Sequence, residues 1–516
     1  MSKTSSAGVR RSWLQRFLGA VERIGNALPH PASLFALLAV GVVLASAVCH
    51  ALGVSVTNPA NGQTVAVVNL LNGAGIRKMV TESVRNFLAY PPLGISLACL
   101  LGLGVAEYSG LMGAGVRCMV LGAPRRWITP IVVFAGVISN AGSEVGYVLL
   151  TPLAAALYHA LGRHPLLGLA AAFAGVSGGY SANLLVGSID VLLAGLSEAA
   201  ATIVDPGYRV AATANWYFMC VSTVLVTVVG TWVTERIAAP RLGDYAGDAV
   251  REKLDPLSPR ERRGLWAAAG ATIVLTAVVV WGVLPEDGFL RDPARPKFAD
   301  SAFMVGLATF IFLYGLLPGL AYGIGAGTIR NDHDAVRGMD GTMKSMASFI
   351  VLAFFAAQFI AYFNWTNLGV VTAVSGAEAI QRLGLQHMPI PLMIAVVLFA
   401  GAVNILVSSA SAKWALLAPV FVPMFMLLGY SPELVQAAFR VGDSVTNIVT
   451  PLMSYFPLIL TFIQKYDPRA GIGTLVATML PYSVAFMVGW TLLLIVWISL
   501  GLPMGPDAPL LLSERP

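Results

Sequence analysis

Apolar runs of about 20 residues, the length that crosses ~30 Å of hydrocarbon as an α-helix, recur along the whole chain with short polar breaks between them. Nine full crossings are predicted, over 32–52, 93–111, 166–196, 214–233, 265–283, 303–324, 345–363, 431–461 and 473–499. Two further apolar segments, 127–159 and 391–428, are too long for one crossing and too short for two with a loop. Small polar residues interrupt each of them, Ile138-Ser-Asn-Ala-Gly-Ser-Glu-Val-Gly146 in the first and Val407-Ser-Ser-Ala-Ser-Ala-Lys-Trp414 in the second. Both read as re-entrant helical hairpins, because non-helical backbone at membrane depth must face protein or a water-filled cavity.

The two halves of the chain resemble each other weakly, in the same order. Tyr147-Val-Leu-Leu-Thr-Pro152 in the first hairpin answers Trp414-Ala-Leu-Leu-Ala-Pro419 in the second. In the crossings that follow, the polar break Gly178-Gly-Tyr-Ser-Ala-Asn183 answers Gly442-Asp-Ser-Val-Thr-Asn447. The expected fold is therefore an all-α polytopic membrane protein, with about nine transmembrane helices plus two re-entrant hairpins in two inverted repeats. Discontinuous helices in two inverted halves characterise secondary transporters, which hold substrate and ions where the breaks meet. The expected division is a cytoplasmic N-terminal segment (1–31), a first membrane half (32–234), a cytoplasmic linker (235–264), a second membrane half (265–500) and a tail (501–516).

Composition agrees with this plan: of 516 residues, 57% are hydrophobic and only 11% charged, far from the balance of a soluble domain. The net charge of +6 is no sign of nucleic-acid binding, since with an inside start most of the 32 lysines and arginines fall on the cytoplasmic side, as membrane orientation requires. The chain is thus expected in a bacterial cytoplasmic membrane with its amino terminus inside. No cleaved signal peptide is expected, because the first apolar run is full length and lies well downstream of the basic opening. The four cysteines, Cys49, Cys99, Cys118 and Cys220, stand singly and read as packing residues.

Intramembrane charges are costly, so each needs a reason. Asp190, Lys413, Arg440 and Asp443 are the candidates. Arg440 and Asp443, three apart on one helical face, either neutralise each other or act separately, Arg440 then reaching a ligand carboxylate with its planar guanidinium. Lys413 reads as snorkelling to the interface rather than touching a ligand. Asp190 suits a titrating carboxylate or an ion ligand, with a helix-packing hydrogen bond as its alternative. Trp414 offers either a stacking face for an aromatic ligand or an interfacial anchor. The tips and breaks supply hard oxygens for a sodium ion: Ser139, Asn140, Ser143 and Asn183 in the first half, Ser408, Ser409, Ser411, Thr446 and Asn447 in the second. Glu144 lies beside the first tip. A proton relay through Asp190 and Asp443 is the other coupling route.

Gly175-Val-Ser-Gly-Gly179 matches a serine-nucleophile pattern, but such a serine needs a base in reach. The histidines that follow it, His333 and His387, are assigned to loops. An integral-membrane hydrolase is thus a poor second reading, and a passive channel is disfavoured by the interrupted crossings.

At Ser408-Ser-Ala-Ser-Ala-Lys-Trp-Ala-Leu-Leu-Ala-Pro419 and Phe439-Arg-Val-Gly-Asp-Ser-Val-Thr-Asn-Ile-Val-Thr-Pro451, with the first-half hairpin and break, the sequence resembles the bacterial aminobenzoyl-glutamate transporter (AbgT) family over nearly its whole length. The resemblance implies a dimer whose subunits have nine membrane helices and two hairpins, moving p-aminobenzoyl-glutamate inward and, in some members, exporting sulfonamide antimetabolites. It also implies functional roles for Asp190, Ser411, Trp414, Pro432, Arg440, Asp443 and Pro451. A di- or tricarboxylate carrier of the same wider superfamily is the alternative, for which a tryptophan at the tip would serve less well. Neither direction nor coupling ion, sodium or proton, follows from the resemblance.

Overall fold

The computed structural model describes residues 29–57, 62, 64–140, 146–247, 256–285, 287–291 and 301–512. Ser143 and Glu144 of the first hairpin tip, and part of the expected linker, lie outside the described residues.

The first half begins with α1 (Pro31–Ala51), started by Pro31 at its first position and by the His30 ring, whose Nδ1 accepts from the Ala32 amide. A two-stranded antiparallel hairpin, β1 (Ser55–Thr57) with β2 (Thr64–Ala66), follows. Next come α2 (Gly73–Leu88), α3 (Pro91–Ser109) and α4 (Leu111–Leu121). The first re-entrant hairpin is α5 (Ile128–Ser139) paired with a π-helical turn (Gly146–Leu150) that runs into α6 (Thr151–Ala160). Then α7 (Pro165–Phe173), a π turn (Ala174–Gly178), an irregular stretch and α8 (Ser188–Ala201) form one broken crossing, and α9 (Trp216–Val233) closes the half.

The second half has α10 (Pro259–Val283), α11 (Leu307–Ala326), α12 (Asp332–Ser345), α13 (Ala347–Trp365) and α14 (Leu368–Arg382). The second hairpin is α15 (Pro389–Leu406) and α16 (Ala410–Leu427), the second broken crossing is α17 (Pro432–Asn447) with α18 (Phe456–Gln464), and α19 (Ile472–Ser499) ends the membrane region. Each half thus carries a hairpin followed by a broken crossing, the order expected of two inverted repeats.

Among the described residues, nine helical stretches are long and apolar enough to cross a membrane, and these include both arms of the second hairpin. Setting the arms aside and counting the two broken crossings restores the expected nine. The sequence reading missed β1 and β2 and the helices α2, α4, α12 and α14. Exposed apolar residues such as Val80 and Val84 alternate in α2 with Arg77, Lys78 and Arg85, the composition of a helix lying in the interface rather than crossing it.

Close helix approach depends on glycine at two places that matter. Gly102 and Gly315 bring the backbones of α3 and α11 together, so the glycine run 102–110 packs helices within the chain. Gly442 of α17 faces the Val397 carbonyl of α15, where an added Cβ would collide with backbone.

Candidate functional site

All 16 residues of α17 are buried, although the helix carries Glu433, Gln436, Arg440, Asp443, Ser444 and Asn447. It starts cleanly: Pro432 takes the first position, where its missing N–H is harmless, and the Ser431 hydroxyl accepts from the Leu434 amide at 3.2 Å. Pro451 lies four residues past the last helical residue, where it cannot continue the helix. The two prolines therefore bracket α17.

A polar helix inside a membrane protein must have every group answered, and α17 draws its partners from both halves. The Arg440 guanidinium pairs with Asp190 Oδ1 at 2.6 Å and donates to the Ser181 carbonyl at 2.9 Å. Asp190 is also an N-terminal capping residue of α8, its Oδ2 accepting from the Gly187 amide at 2.8 Å. Ser444 Oγ accepts from the Ser181 amide at 3.1 Å. Nearer the start of α17, Gln436 accepts from the Ser197 hydroxyl at 2.6 Å and donates to Asn215 Oδ1 at 2.8 Å. Tyr208 donates to the Glu433 carboxylate at 2.8 Å.

Asp443 turns to the second hairpin instead. Its carboxylate pairs with the Lys413 ammonium, which also donates to Asn404 Oδ1. The Asn404 amide in turn donates to Thr446 Oγ1 and Asn447 Oδ1, both at 2.8 Å, and to the Asp443 carbonyl at 2.9 Å. This decides between the two readings of Arg440 and Asp443 and corrects the expectation for Lys413. Arg440 and Asp443 do not neutralise each other, because each finds an opposite charge on another element. Lys413 does not snorkel: it is fully buried, and Asp443 answers its charge.

Trp414 is likewise displaced from its expected place. It is fully buried, its indole N–H donates to Ser197 Oγ at 2.8 Å, and its ring lies 4.5 Å from that of Phe439. It does not line the cavity between the two tips, so it presents no stacking face there.

That cavity measures about 420 Å³. Its second-half wall includes Ser408, Ser409 and Ser411 at the start of α16, together with Asn447 and Tyr455. The first half contributes Asn140, Tyr147, Tyr180 and Ser188, and α3 and α12 add Glu107 and Thr342. Tyr147 and Tyr455 stack with ring centroids 4.6 Å apart and planes 8° from parallel. Two helix amino-terminal turns open onto the space, Ser188 of α8 and Ser409 to Ser411 of α16, and such turns carry outward amide N–H groups and partial positive charge.

The predicted ion ligands divide accordingly. Asn140 lines the cavity while its amide donates to the Val176 carbonyl at 2.9 Å. Ser139 donates to its own helix at Gly136, and Asn183 Oδ1 accepts from the Leu185 amide. Ser409 caps α16 through the Ala412 amide. Thr446 and Asn447 point their side-chain oxygens at the Asn404 amide, and the Asn404 oxygen accepts from the Lys413 ammonium. Ser177, the decoy nucleophile, is buried with its hydroxyl donating to Met453 Sδ at 3.3 Å rather than to a base.

Ser197, Asn215, Asn404, Gln436 and Glu433 were missed in the sequence. The signal for α17 was there: Glu433, Gln436, Arg440, Asp443 and Asn447 are spaced three and four apart, a polar stripe along one helical face.

Known proteins share this architecture. The chain matches the family model described as the AbgT putative transporter family over residues 16–512. It is 40% identical over 491 residues to the p-aminobenzoyl-glutamate transport protein of Escherichia coli (strain K12), covering 95% of this chain and 96% of that protein. The crystal structure of the Alcanivorax borkumensis YdaH transporter, described as having an unusual topology, superposes with a TM-score of 0.88 at 43% identity, over 93% of this chain and all of that one. The structure of Neisseria gonorrhoeae MtrF, described as illuminating a class of antimetabolite efflux pumps, gives a TM-score of 0.90 at 47% identity over 96% of this chain and 100% of its own. With a full-length family match and the same fold in both solved structures, the chain belongs to the AbgT family of transporters.

Proposed function

We propose that this transporter carries p-aminobenzoyl-glutamate-like aromatic carboxylates, and exports sulfonamide antimetabolites that share the aminophenyl ring, by alternating access driven by a sodium or proton gradient. It works as a homodimer in the bacterial inner membrane, with its amino terminus in the cytoplasm, and it is not an enzyme. One observation carries this reading: a single cavity combines two helix amino termini, one from each half, with a wall of stacked tyrosines. Aminobenzoyl-glutamate has two carboxylates and one aromatic ring. The amino-terminal turns of α8 and α16 suit the carboxylates, and Tyr147 and Tyr455 suit the ring. The names of the E. coli relative and of MtrF support the same substrate class. Arg440 and Asp190 act from behind the cavity, holding the α8 amino terminus in place through the capping carboxylate.

The test is uptake of labelled aminobenzoyl-glutamate into proteoliposomes, with sodium and pH gradients imposed separately and citrate or a sulfonamide as competitor. Competition by sulfonamide and loss of uptake in Tyr455→Leu are expected. Competition by citrate alone would refute the aromatic reading in favour of a di- or tricarboxylate carrier.

A further inference from the structure

We propose that the groove between α9 and α19 holds a phospholipid with an anionic headgroup, its phosphate on Arg241 and an acyl chain along α19. The groove measures about 1020 Å³ and shares no lining residue with the cavity between the hairpin tips. The helical stretch that begins as α9 runs on to Leu242, antiparallel to α19. Its register is fixed at three levels: Phe218 packs edge-on against Trp497, Trp490 donates to Ser222 at 2.7 Å, and Thr234 bonds with Tyr482 at 2.8 Å. Continued by two turns, that register brings Arg241 to the level of Thr474 in the first turn of α19, and both residues line the groove.

The dimensions are those of one leaflet. From Thr474 to Gly489 the groove follows α19 for about 22 Å, at ~1.5 Å per residue. Half of a bilayer, from midplane to the outer edge of its headgroups, is roughly 20–22 Å. The polar end adjoins the segment after Leu242, the cytoplasmic side in the proposed orientation, where anionic lipids draw basic residues.

The chemistry divides as a lipid does. Along α19 the small or compact residues Ala477, Pro481, Ala485 and Gly489 recur four apart, and the exposed side chains of Trp232 and Val488 rise beside them, so the apolar part is concave. Arg241 is exposed and forms no ion pair among the described residues, Asp244 included, while Glu235 is taken by Arg163 at 2.7 Å. The Thr474 hydroxyl accepts from the Gly471 amide at 3.2 Å, which leaves its O–H to donate to a phosphate oxygen. A second copy of the chain is a poorer occupant. Neither α9 nor α19 carries an acidic side chain, so two such faces would offer Arg241 no counter-charge, whereas a phosphodiester supplies one. This inference concerns the outer surface and does not depend on what is transported.

The experiment is thermal unfolding and native mass spectrometry of the delipidated full-length protein in detergent. The probes are palmitoyl-oleoyl phosphatidylglycerol, phosphatidylcholine with the same chains, and glycerol phosphate. Phosphatidylglycerol should raise the wild-type midpoint by roughly 3 °C more than phosphatidylcholine does and should remain bound in the spectra. Arg241→Gln should lose that difference; Arg236→Gln, equally exposed but outside the groove, should keep it. Gly489→Leu tests the tail. A Cβ there meets only ordinary contacts, Val229 at 3.5 Å and Leu225 at 3.9 Å, so the variant should fold and retain neither lipid. Equal shifts from the two lipids would overturn the proposal, as would a phosphatidylglycerol response that survives Arg241→Gln unchanged. A glycerol phosphate shift as large as the lipid's would also overturn it, by assigning the site to a soluble phosphate. A changed oligomeric state of Gly489→Leu, read by light scattering, would assign the face to a second copy instead.

Discussion

Arg440 and Asp190 join the second half of the chain to the first, and replacing them singly and together tests that joint. At 2.6 Å, with an effective dielectric constant near 20, their attraction amounts to about 6 kcal/mol, much of it offset by the cost of taking both groups out of water. Removing one partner keeps the desolvation cost of the other and loses the attraction. Asp190→Asn, which can still accept from the Gly187 amide, and Arg440→Leu should each lose about 3–5 kcal/mol of stability. The double variant Asp190→Asn/Arg440→Leu removes both charges and should lose less than either single change, retaining a deficit of about 1 kcal/mol for the Ser181 carbonyl that Arg440 no longer satisfies. Arg440→Leu/Asp443→Leu behaves oppositely: it strands Asp190 and Lys413 in the interior, so its loss should equal or exceed the sum of the singles. The assay is denaturant unfolding in detergent micelles, read by tryptophan fluorescence and checked by size-exclusion behaviour, with coupling energies from the two mutant cycles. Additivity within about 0.5 kcal/mol for Arg440 with Asp190, or compensation for Arg440 with Asp443, would refute the pairing.

Three further outcomes are expected. Trp414→Phe keeps the stack on Phe439 but loses the bond to Ser197, so it should cost about 1 kcal/mol and leave substrate preference unchanged, whereas Trp414→Ala should cost about 3–5 kcal/mol; selective loss of aromatic substrate uptake in Trp414→Phe would contradict the buried placement. Gly442→Ala drives a Cβ into the Val397 carbonyl and should destabilise by about 1–3 kcal/mol, seen as a lower unfolding midpoint, while Gly41→Ala, with open space around its Cα, should not. His164, at the loop between α6 and α7, has its pKa lowered by burial, with Asp467 partly opposing, and its Nδ1 accepts from the Leu166 amide. The unfolded chain therefore binds this proton more readily, and the stabilisation, full above pH ~6.5, should be lost as pH falls through the depressed folded value; His164→Gln should remove that step from a plot of midpoint against pH.

The hairpins were legible because their polar tips break otherwise apolar runs, and the observed arms start and stop within two residues of the expected 127–159 and 391–428. The broken crossings were legible for the same reason. What sequence spacing could not supply was the identity of charge partners. Arg440 and Asp443 are neighbours on one helix face, but Arg440 lies against α8 and Asp443 against α16, and only the packing of three elements decides that. Trp414 illustrates a second limit. Its position near a tip suggested exposure, yet a hydrogen bond to Ser197 and a stack on Phe439, both remote in sequence or on another helix, take it out of the cavity. Tyr147 and Tyr455 could not be recognised as a pair from sequence, since they belong to different halves. The amphipathic helix α2 escaped because a search for crossings looks for continuous apolar length, whereas a helix at the interface needs only one apolar face.

The buried polar helix also constrains how the protein can move. The partners of the charged and amide side chains of α17 come from α8, α15, α16 and the stretches beside them, with Asp190, Ser197, Asn215, Asn404 and Lys413 as the main contributors, while Ser483 of α19 donates to the Val445 carbonyl. The opposite wall of the cavity, where α3 and α12 present Glu107, Thr342 and Ser345, is lined by groups outside that network; Ser345, for one, bonds back to the Thr342 carbonyl of its own helix. Separating α17 from α8 would part Arg440 from Asp190 and Gln436 from Ser197 in a low-dielectric interior, at a cost of several kcal/mol for each polar or charged group stranded. Parting the cavity between α16 and α17 on one side and α3 and α12 on the other leaves the network whole. Alternating access, as proposed, therefore has an energetically preferred seam through the cavity, and the two ion pairs travel with α17 on one side of it.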